Sequence, residues 1–288
     1  MLFQQIKTYG RLIKFSHTLF ALPFALAAVA LAHREHAVAW PQVAWIIAAM
    51  AGARSAAMGF NRFADRRIDA LNPRTSMRPS VTGEIGEGAI VLFVVLSSVL
   101  FVLSAAMLGR LPLALSLPVL CVLFLYSYMK RFTSLSHIYL GFAIGLAPIG
   151  AWIAVTGSLD ARICFLSLAL MTYIGGFDIL YACQDADFDR SQGLFSLPAK
   201  LGARRALAIS SFLHLFTFLS LQALYLTFHL GAAYLLGLLL IGALLVVEHR
   251  LVRPGRLEHI NLAFFQVNSA ISILIFLAVL IDGLSRRA

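Results

Sequence analysis

"LALMTYIGGFDILYACQDADFD", residues 168–189, runs an apolar segment straight into a string of aspartates. Its first fifteen residues carry one charged group, Asp178. In hydrocarbon an ionised carboxylate costs about 2.5–3.5 kcal/mol on insertion scales, so something must compensate it there. The largely apolar run 163–183 that contains this acid is long enough to cross a layer of roughly 30 Å as a helix.

The same reading repeats outward from this stretch in both directions. The chain of 288 residues is 60% hydrophobic and 12% charged, with a mean hydropathy of +0.87. Nine candidate spans fall near residues 15–32, 40–60, 89–108, 111–128, 135–155, 163–183, 206–226, 229–248 and 262–281, separated by short polar or Pro/Gly-bearing stretches. These predict an all-α, polytopic membrane protein whose residues 1–288 form one domain. Residues 1–32 share the basic-then-apolar pattern of a signal peptide, but the eight spans behind them predict an uncleaved first span. Cys121, Cys164 and Cys183 lie within spans and form no C-x-x-C pair, so neither a disulfide framework nor a zinc cluster is indicated.

Under a nine-span reading, 17 of the 23 Lys and Arg fall on the N-terminal side and 5 on the other, while Arg54 lies inside span two. That asymmetry predicts a cytoplasmic N-terminus in an inner (cytoplasmic) membrane of bacterial type. The net charge of +10 is then mainly an orientation device with an attraction for anionic membrane lipid. No nucleic-acid partner is expected, because the basic residues are scattered over short loops.

Six of the 13 acidic residues sit in two clusters, Asp65 and Asp69 after span two and Asp178, Asp185, Asp187 and Asp189 at the end of span six. Both follow even-numbered spans, which predicts a shared cytoplasmic face where they can meet. Asn61, Asp65 and Asp69 are spaced i, i+4, i+8 along one helical stripe. Asp178, Tyr181, Asp185 and Asp189 fall at i, i+3, i+7 and i+11, again one stripe. Asp187 points elsewhere if the helix continues and joins the others if it turns.

Hard divalent cations take oxygen ligands, and Mg2+ typically uses one or two carboxylates with water and substrate phosphates. Arg62, Arg66, Arg67, Arg74 and Lys130 interleave with these acids and supply fixed positive charge for phosphate oxygens. Acid to hold metal beside base to hold phosphate points to a diphosphate, and without a Walker-type loop a nucleotide is a poor candidate. In a membrane the natural diphosphate is that of a polyprenyl chain, whose tail would lie among the 22 Phe and the many Leu.

These motifs resemble those of the UbiA-type membrane prenyltransferases, and specifically the 4-hydroxybenzoate polyprenyltransferase branch. "NRFADRRIDALNPRTSMRP" (61–79) is similar to the family's first Asp-rich motif, with Arg62 where many members carry Asp. "DILYACQDADFDRSQGLFSLPAKLG" (178–202) resembles the second, "YSYMKRFT" (126–133) the Tyr-x-x-x-Lys stretch, and "KFSHTLFALPFAL" (14–26) the branch's N-terminal segment. The resemblance implies nine transmembrane helices around a central cavity and Mg2+ held by the two Asp motifs. It also implies transfer of a polyprenyl group from polyprenyl diphosphate to an aromatic acid acceptor. 4-Hydroxybenzoate, as in ubiquinone-type synthesis, is the first acceptor, and a dihydroxynaphthoate-type acid of a menaquinone route is the alternative.

On this basis Asp65 and Asp69 are expected to contact one Mg2+, and Asp185 and Asp189 the other. Asn61 is a neutral oxygen ligand or a diphosphate contact, and Arg66 and Lys130 are diphosphate contacts. Asp178 is either a ligand or the acceptor of a hydrogen bond from the substrate phenol; with Asp65 and Asp185 it makes the catalytic set. Tyr126 and Tyr181 face the developing cation with their rings or pack between helices, and Arg54 reaches the acceptor carboxylate or pairs with an Asp. His17 and His214 read as helix–helix hydrogen-bond partners. "GFAIG" (141–145) is a close-packing signal between spans. A cation transporter would use the same acids as an ion path, and a membrane phosphatase would hydrolyse the diphosphate. Only a prenyltransferase yields a prenylated ring plus diphosphate.

Overall fold

The computed structural model describes residues 8–13, 20–252, 260 and 263–286. Lys7, Lys14, His17, Arg253, Arg256, Arg287 and part of the expected first span lie outside them. The described residues are helical with no strand, as expected where every backbone group in hydrocarbon must be satisfied within its own segment. Eight helices among them are long and apolar enough to cross a membrane: Trp40–Ala64, Glu87–Leu108, Arg110–Met129, Ser136–Thr156, Ala161–Ser191, Ala203–Thr227, Ala232–Leu251 and Phe265–Ser285. A shorter apolar helix occupies Leu22–Ala32, where the first span is expected.

The chain divides into two compact units, Met1–Thr18 with Ala44–Tyr128 and Leu19–Val43 with Met129–Ala288. We number the helices α1 (Leu22–Ala32), α2 (Trp40–Ala64), α3 (Arg66–Leu71), α4 (Pro79–Thr82), α5 (Glu87–Leu108), α6 (Arg110–Met129) and α7 (Ser136–Thr156). The remainder are α8 (Cys164–Ala182), α9 (Ala186–Ser191), α10 (Leu197–Leu201), α11 (Ala203–Thr227), α12 (Ala232–Leu251) and α13 (Asn268–Ser285).

In the first unit α2 approaches α5 closely because Gly52 lacks a side chain; a Cβ there would lie 2.8 Å from the Phe101 amide nitrogen. Leu12, Ile85, Ile90 and Val94 form its buried core, flanked by Tyr9, Phe60, Phe93 and Phe124. Outward-facing Leu92, Val95, Leu96, Val99 and Leu103 of α5 are exposed, as suits a helix whose solvent on that side is lipid.

In the second unit α8 is the central element. Of the most apolar 18 residues of its span 72% are buried, against 44% at most for any other span. Around it α7, α1, α13, α12 and α11 pack in that order, with α7 and α11 both against α8. Polar side chains join these helices where apolar burial alone offers no driving force. Thr172 and Thr217 share a hydrogen bond of 2.9 Å, and the Tyr173 hydroxyl donates to Asn268. His214 meets the Tyr173 carbonyl at 3.3 Å and His249 at 2.9 Å, so both of its ring nitrogens serve helix contacts. The close-packing signal at 141–145 acts within this unit: a Cβ on Gly141 would lie 2.1 Å from the Met171 carbonyl oxygen of α8.

A charged latch closes the end of α1 on the start of α8. Arg162 donates to both oxygens of Glu35 at 2.9 Å and to Asp160 at 2.8 and 2.6 Å, with its guanidinium 4.7 Å from the Phe228 ring centre. Hydrogen bonding to Arg162 holds the Glu35 and Asp160 carboxyls below their ordinary values of 4.5 and 3.8. Because their folded pKa values are depressed, the stabilisation is present above the unfolded values and is lost as pH falls through the folded ones. The wild-type thermal midpoint should therefore exceed that of Arg162→Gln at neutral pH, with the gap closing below about pH 4. Equal midpoints at neutral pH would show that the latch adds nothing.

Candidate active site

In the first unit α2 continues almost unbroken into α3. The Asp65 amide donates to the Asn61 carbonyl at 2.9 Å and the Asp69 amide to the Asp65 carbonyl at 2.8 Å, so the helical spacing of Asn61, Asp65 and Asp69 survives. Asp65 itself sits at the join with φ −96° and ψ 3°, in the sparsely populated region between helix and strand where active-site residues recur. Asn61 Nδ2 donates to Asp65 Oδ2 at 2.7 Å.

Arg62, the departure from the family pattern, is buried in this unit. Its Nε donates to the Leu12 carbonyl at 3.2 Å and its Nη1 to Asn61 Oδ1 at 2.9 Å. The Asn61 oxygen, expected as a neutral ligand, is thereby engaged, and Asn61 turns its amide N–H₂ toward Asp65. Asp69 is buried and receives Arg78 Nη1 at 2.7 and 2.6 Å on its two oxygens. Arg66 is paired with Glu87. Tyr126 is half-buried, and Arg54 is half-buried on α2, about two helical turns from Asn61.

The second unit repeats this design. Helix α8 ends, a 3₁₀ turn covers Cys183–Asp185, and α9 comes next. Asp185 has φ −101° and ψ 3°, the conformation of Asp65 within a few degrees. Asp189 stands four residues on, buried like Asp69 and likewise met by a cation, with Lys130 Nζ at 3.2 and 3.5 Å. Each motif then leads to a short helix with proline in its first two positions, α4 or α10, closed by a glycine of positive φ, Gly83 at 81° and Gly202 at 79°.

The expected stripe from Asp178 to Asp189 is interrupted by this 3₁₀ turn. A 3₁₀ turn winds three residues per turn rather than 3.6, so three such residues rotate the next helix by about 60°. Asp178 precedes that turn, within α8. Its Oδ2 lies 2.6 Å from His137 Nδ1, with the imidazole fully buried at the start of α7. Tyr181 packs on the apolar cluster of Leu180, Cys183, Leu207, Val252 and Ile260. Asp187 points outward, its side chain 99% exposed and paired with Arg190. Lys130 also accepts the Phe195 amide on its carbonyl at 2.7 Å, so the 129–137 connection straps both the loop after α9 and the Asp178 end of α8.

Two partners escape a reading of the sequence. Arg78 contributes there only to the orientation count, although an Arg directly before a helix-starting Pro, nine residues beyond Asp69, is a usable signal. His137 stands four residues before Gly141, on the face that packs against α8, and that register is its signal.

The donor set suits a hard cation. Each motif offers a buried carboxylate and a second at the adjoining kink, and among the described residues no three His, Cys, Asp or Glu converge to close a cage. Carboxylate oxygens of this kind suit a hard divalent cation, which takes oxygen ligands.

The model of the UbiA prenyltransferase family matches residues 21–270. A 4-hydroxybenzoate octaprenyltransferase from Vibrio atlanticus is 35% identical over 201 residues, covering 69% of this chain and 70% of that one. A UbiA homologue from Aeropyrum pernix K1, in its apo structure, superposes with a TM-score of 0.84 at 32% identity over 92% of this chain and 98% of that one. A UbiA homologue from Archaeoglobus fulgidus bound to GPP and Mg2+ shares the fold, with a TM-score of 0.69 at 20% identity, covering 95% of this chain and 99% of that one.

Proposed function

The chain belongs to the UbiA prenyltransferase family, and from that membership we propose that it transfers a polyprenyl group from polyprenyl diphosphate to an aromatic acid, 4-hydroxybenzoate first, in making a ubiquinone-type quinone. The observation that carries the reading is the duplicated motif. In each unit an Asp at a helix join is followed four residues later by a buried Asp bearing a cation. Relatives named for 4-hydroxybenzoate, and a fold neighbour bound to GPP and Mg2+, support the acceptor and the donor class.

In this reading Asp65 and Asp69 hold one Mg2+ and Asp185 and Asp189 another. Bound Mg2+ would neutralise charge that develops on the leaving diphosphate. Arg78 and Lys130, already lodged on carboxylates, meet the phosphate oxygens together with Arg66, while the Asn61 N–H₂ gives a neutral donor beside them. Tyr126 lines the allylic portion of the donor while Tyr181 packs between helices, Arg54 receives the acceptor carboxylate, and Asp178 receives its hydroxyl. The 17 to 5 charge asymmetry supports an inner-membrane enzyme whose N-terminus and chemistry face the cytoplasm.

The test is direct. Purified protein in lipid is given radiolabelled 4-hydroxybenzoate, geranyl diphosphate and Mg2+, with and without a chelator. Label entering the organic phase only without chelator is the expected result. Product from a dihydroxynaphthoate acid alone would reassign the acceptor, and no product from either acid with short or long prenyl donors would overturn the reading.

A further inference from the structure

Three motif carboxylates are held by partners across helices, and one of those partners differs in kind. Asp69 carries Arg78 and Asp189 carries Lys130. Asp178 takes no bond from Arg or Lys among the described residues; its partner is the His137 imidazole, 2.6 Å away. A carboxylate only accepts, so His137 Nδ1–H is the donor. His137 Nε2 is buried without a hydrogen-bond partner among the described residues. The neutral tautomer leaves a lone pair there, whereas an imidazolium would bury an unmet N–H.

His214, in the same unit, shows how a helix-joining histidine behaves, because both its nitrogens are bonded to neighbouring helices. His137 makes a single bond, and directs it to one oxygen of a carboxylate that is 19% exposed while its own ring is 1% exposed. That bond fixes Oδ2 and leaves Oδ1 as the oxygen open to a ligand. The clamp is rigidly mounted. Gly141 stands one helical turn from His137 on the same face of α7 and lets α7 approach the Met171 carbonyl of α8.

We propose that His137 is a positioning residue for the aromatic acceptor: it orients Asp178 so that Oδ1 receives the acceptor's hydroxyl, assigning Asp178 to the acceptor and not to the metal. The inference rests on the prenyltransferase reading above. In the step it serves, a bond forms between the allylic carbon and a ring carbon while the allylic C–O bond breaks, its electron pair leaving with the diphosphate. The ring then releases the proton from the alkylated carbon to the departed diphosphate. Asp178 Oδ1 holds the hydroxyl, and with it the ring, in register for that bond to form.

The experiment compares wild type, His137→Leu and His137→Asn in lipid, with rates normalised to folded protein. Asn keeps an N–H at the distance from the backbone that Nδ1 occupies, and Leu removes it. His137→Leu is expected to lose about 100-fold in kcat/KM for the acceptor, as misplacement by about 1 Å can. Its KM for geranyl diphosphate and its half-saturating Mg2+ should stay unchanged. His137→Asn should recover to within about tenfold of wild type. A His137→Leu enzyme with a lower thermal midpoint but unaltered acceptor kinetics would overturn the proposal, leaving a packing role. A shifted Mg2+ requirement with unchanged acceptor KM would overturn it too, returning Asp178 to the metal. A wild type inactive toward every acceptor would overturn the functional reading and this inference with it, whereas an active wild type matched by His137→Leu overturns the inference alone.

Discussion

Asp65→Ala and Asp185→Ala are each expected to lower Mg2+-dependent transfer by at least about a thousandfold, the scale on which removing a group that stabilises transition-state charge acts. Both residues occupy the kink of their motif with nearly the same backbone angles, and each lies four residues from a buried carboxylate that holds a cation. The thermal midpoint should change far less than the rate, because losing a carboxylate from a metal site costs chemistry more than packing. Asp187→Ala is the control. Its carboxylate is 99% exposed and paired with Arg190, so activity should remain within about twofold of wild type, as for most surface substitutions. Activity retained in both Asp65→Ala and Asp185→Ala would remove the metal-assisted reading.

The second large effect lies away from the carboxylates. Gly141→Ala places a methyl 2.1 Å from the Met171 carbonyl oxygen and 3.1 Å from the Gly175 amide nitrogen. Both neighbours are backbone, so no side chain can rotate away, and overpacking of this kind costs about 1–3 kcal/mol or more. Helix α7 must move off α8, and the bond from His137 to Asp178 lengthens with it. We expect a lowered thermal midpoint together with a loss of transfer activity. Gly150→Ala, on the same helix with nothing within 4 Å of the new Cβ, should match wild type in both. Equal behaviour of the two variants would show that the α7–α8 approach is not the constraint.

Much of the fold is legible in the chain's local composition. The apolar runs predict the eight long helices to within a few residues at most ends, because transfer of about 20 apolar residues into hydrocarbon is a local, additive quantity. In the first span Leu22–Ala32 is helical, and residues 15–19 lie outside the described residues. The motif spacing at Asn61, Asp65 and Asp69 also holds, since the i→i−4 bonds run through Asp65. Between Asp178 and Asp189 the Cys183–Asp185 turn tightens, and no composition signal announces it. Asn61 is expected as an oxygen ligand or a diphosphate contact, and its oxygen also accepts a bond from buried Arg62, a partner that spacing does not announce.

The sequence by itself determined that the chain is a set of membrane helices with two acid-bearing ends, since hydropathy and helical period are short-range properties of consecutive residues. Which cation or imidazole each acid received was decided only by the tertiary structure. Arg78 reaches Asp69 across a turn, Lys130 reaches Asp189 from 59 positions away, and His137 reaches Asp178 from 41. Those pairings depend on how closely two helices approach and at what rotation, and small residues such as Gly141 set that approach through backbone contacts that no local pattern records.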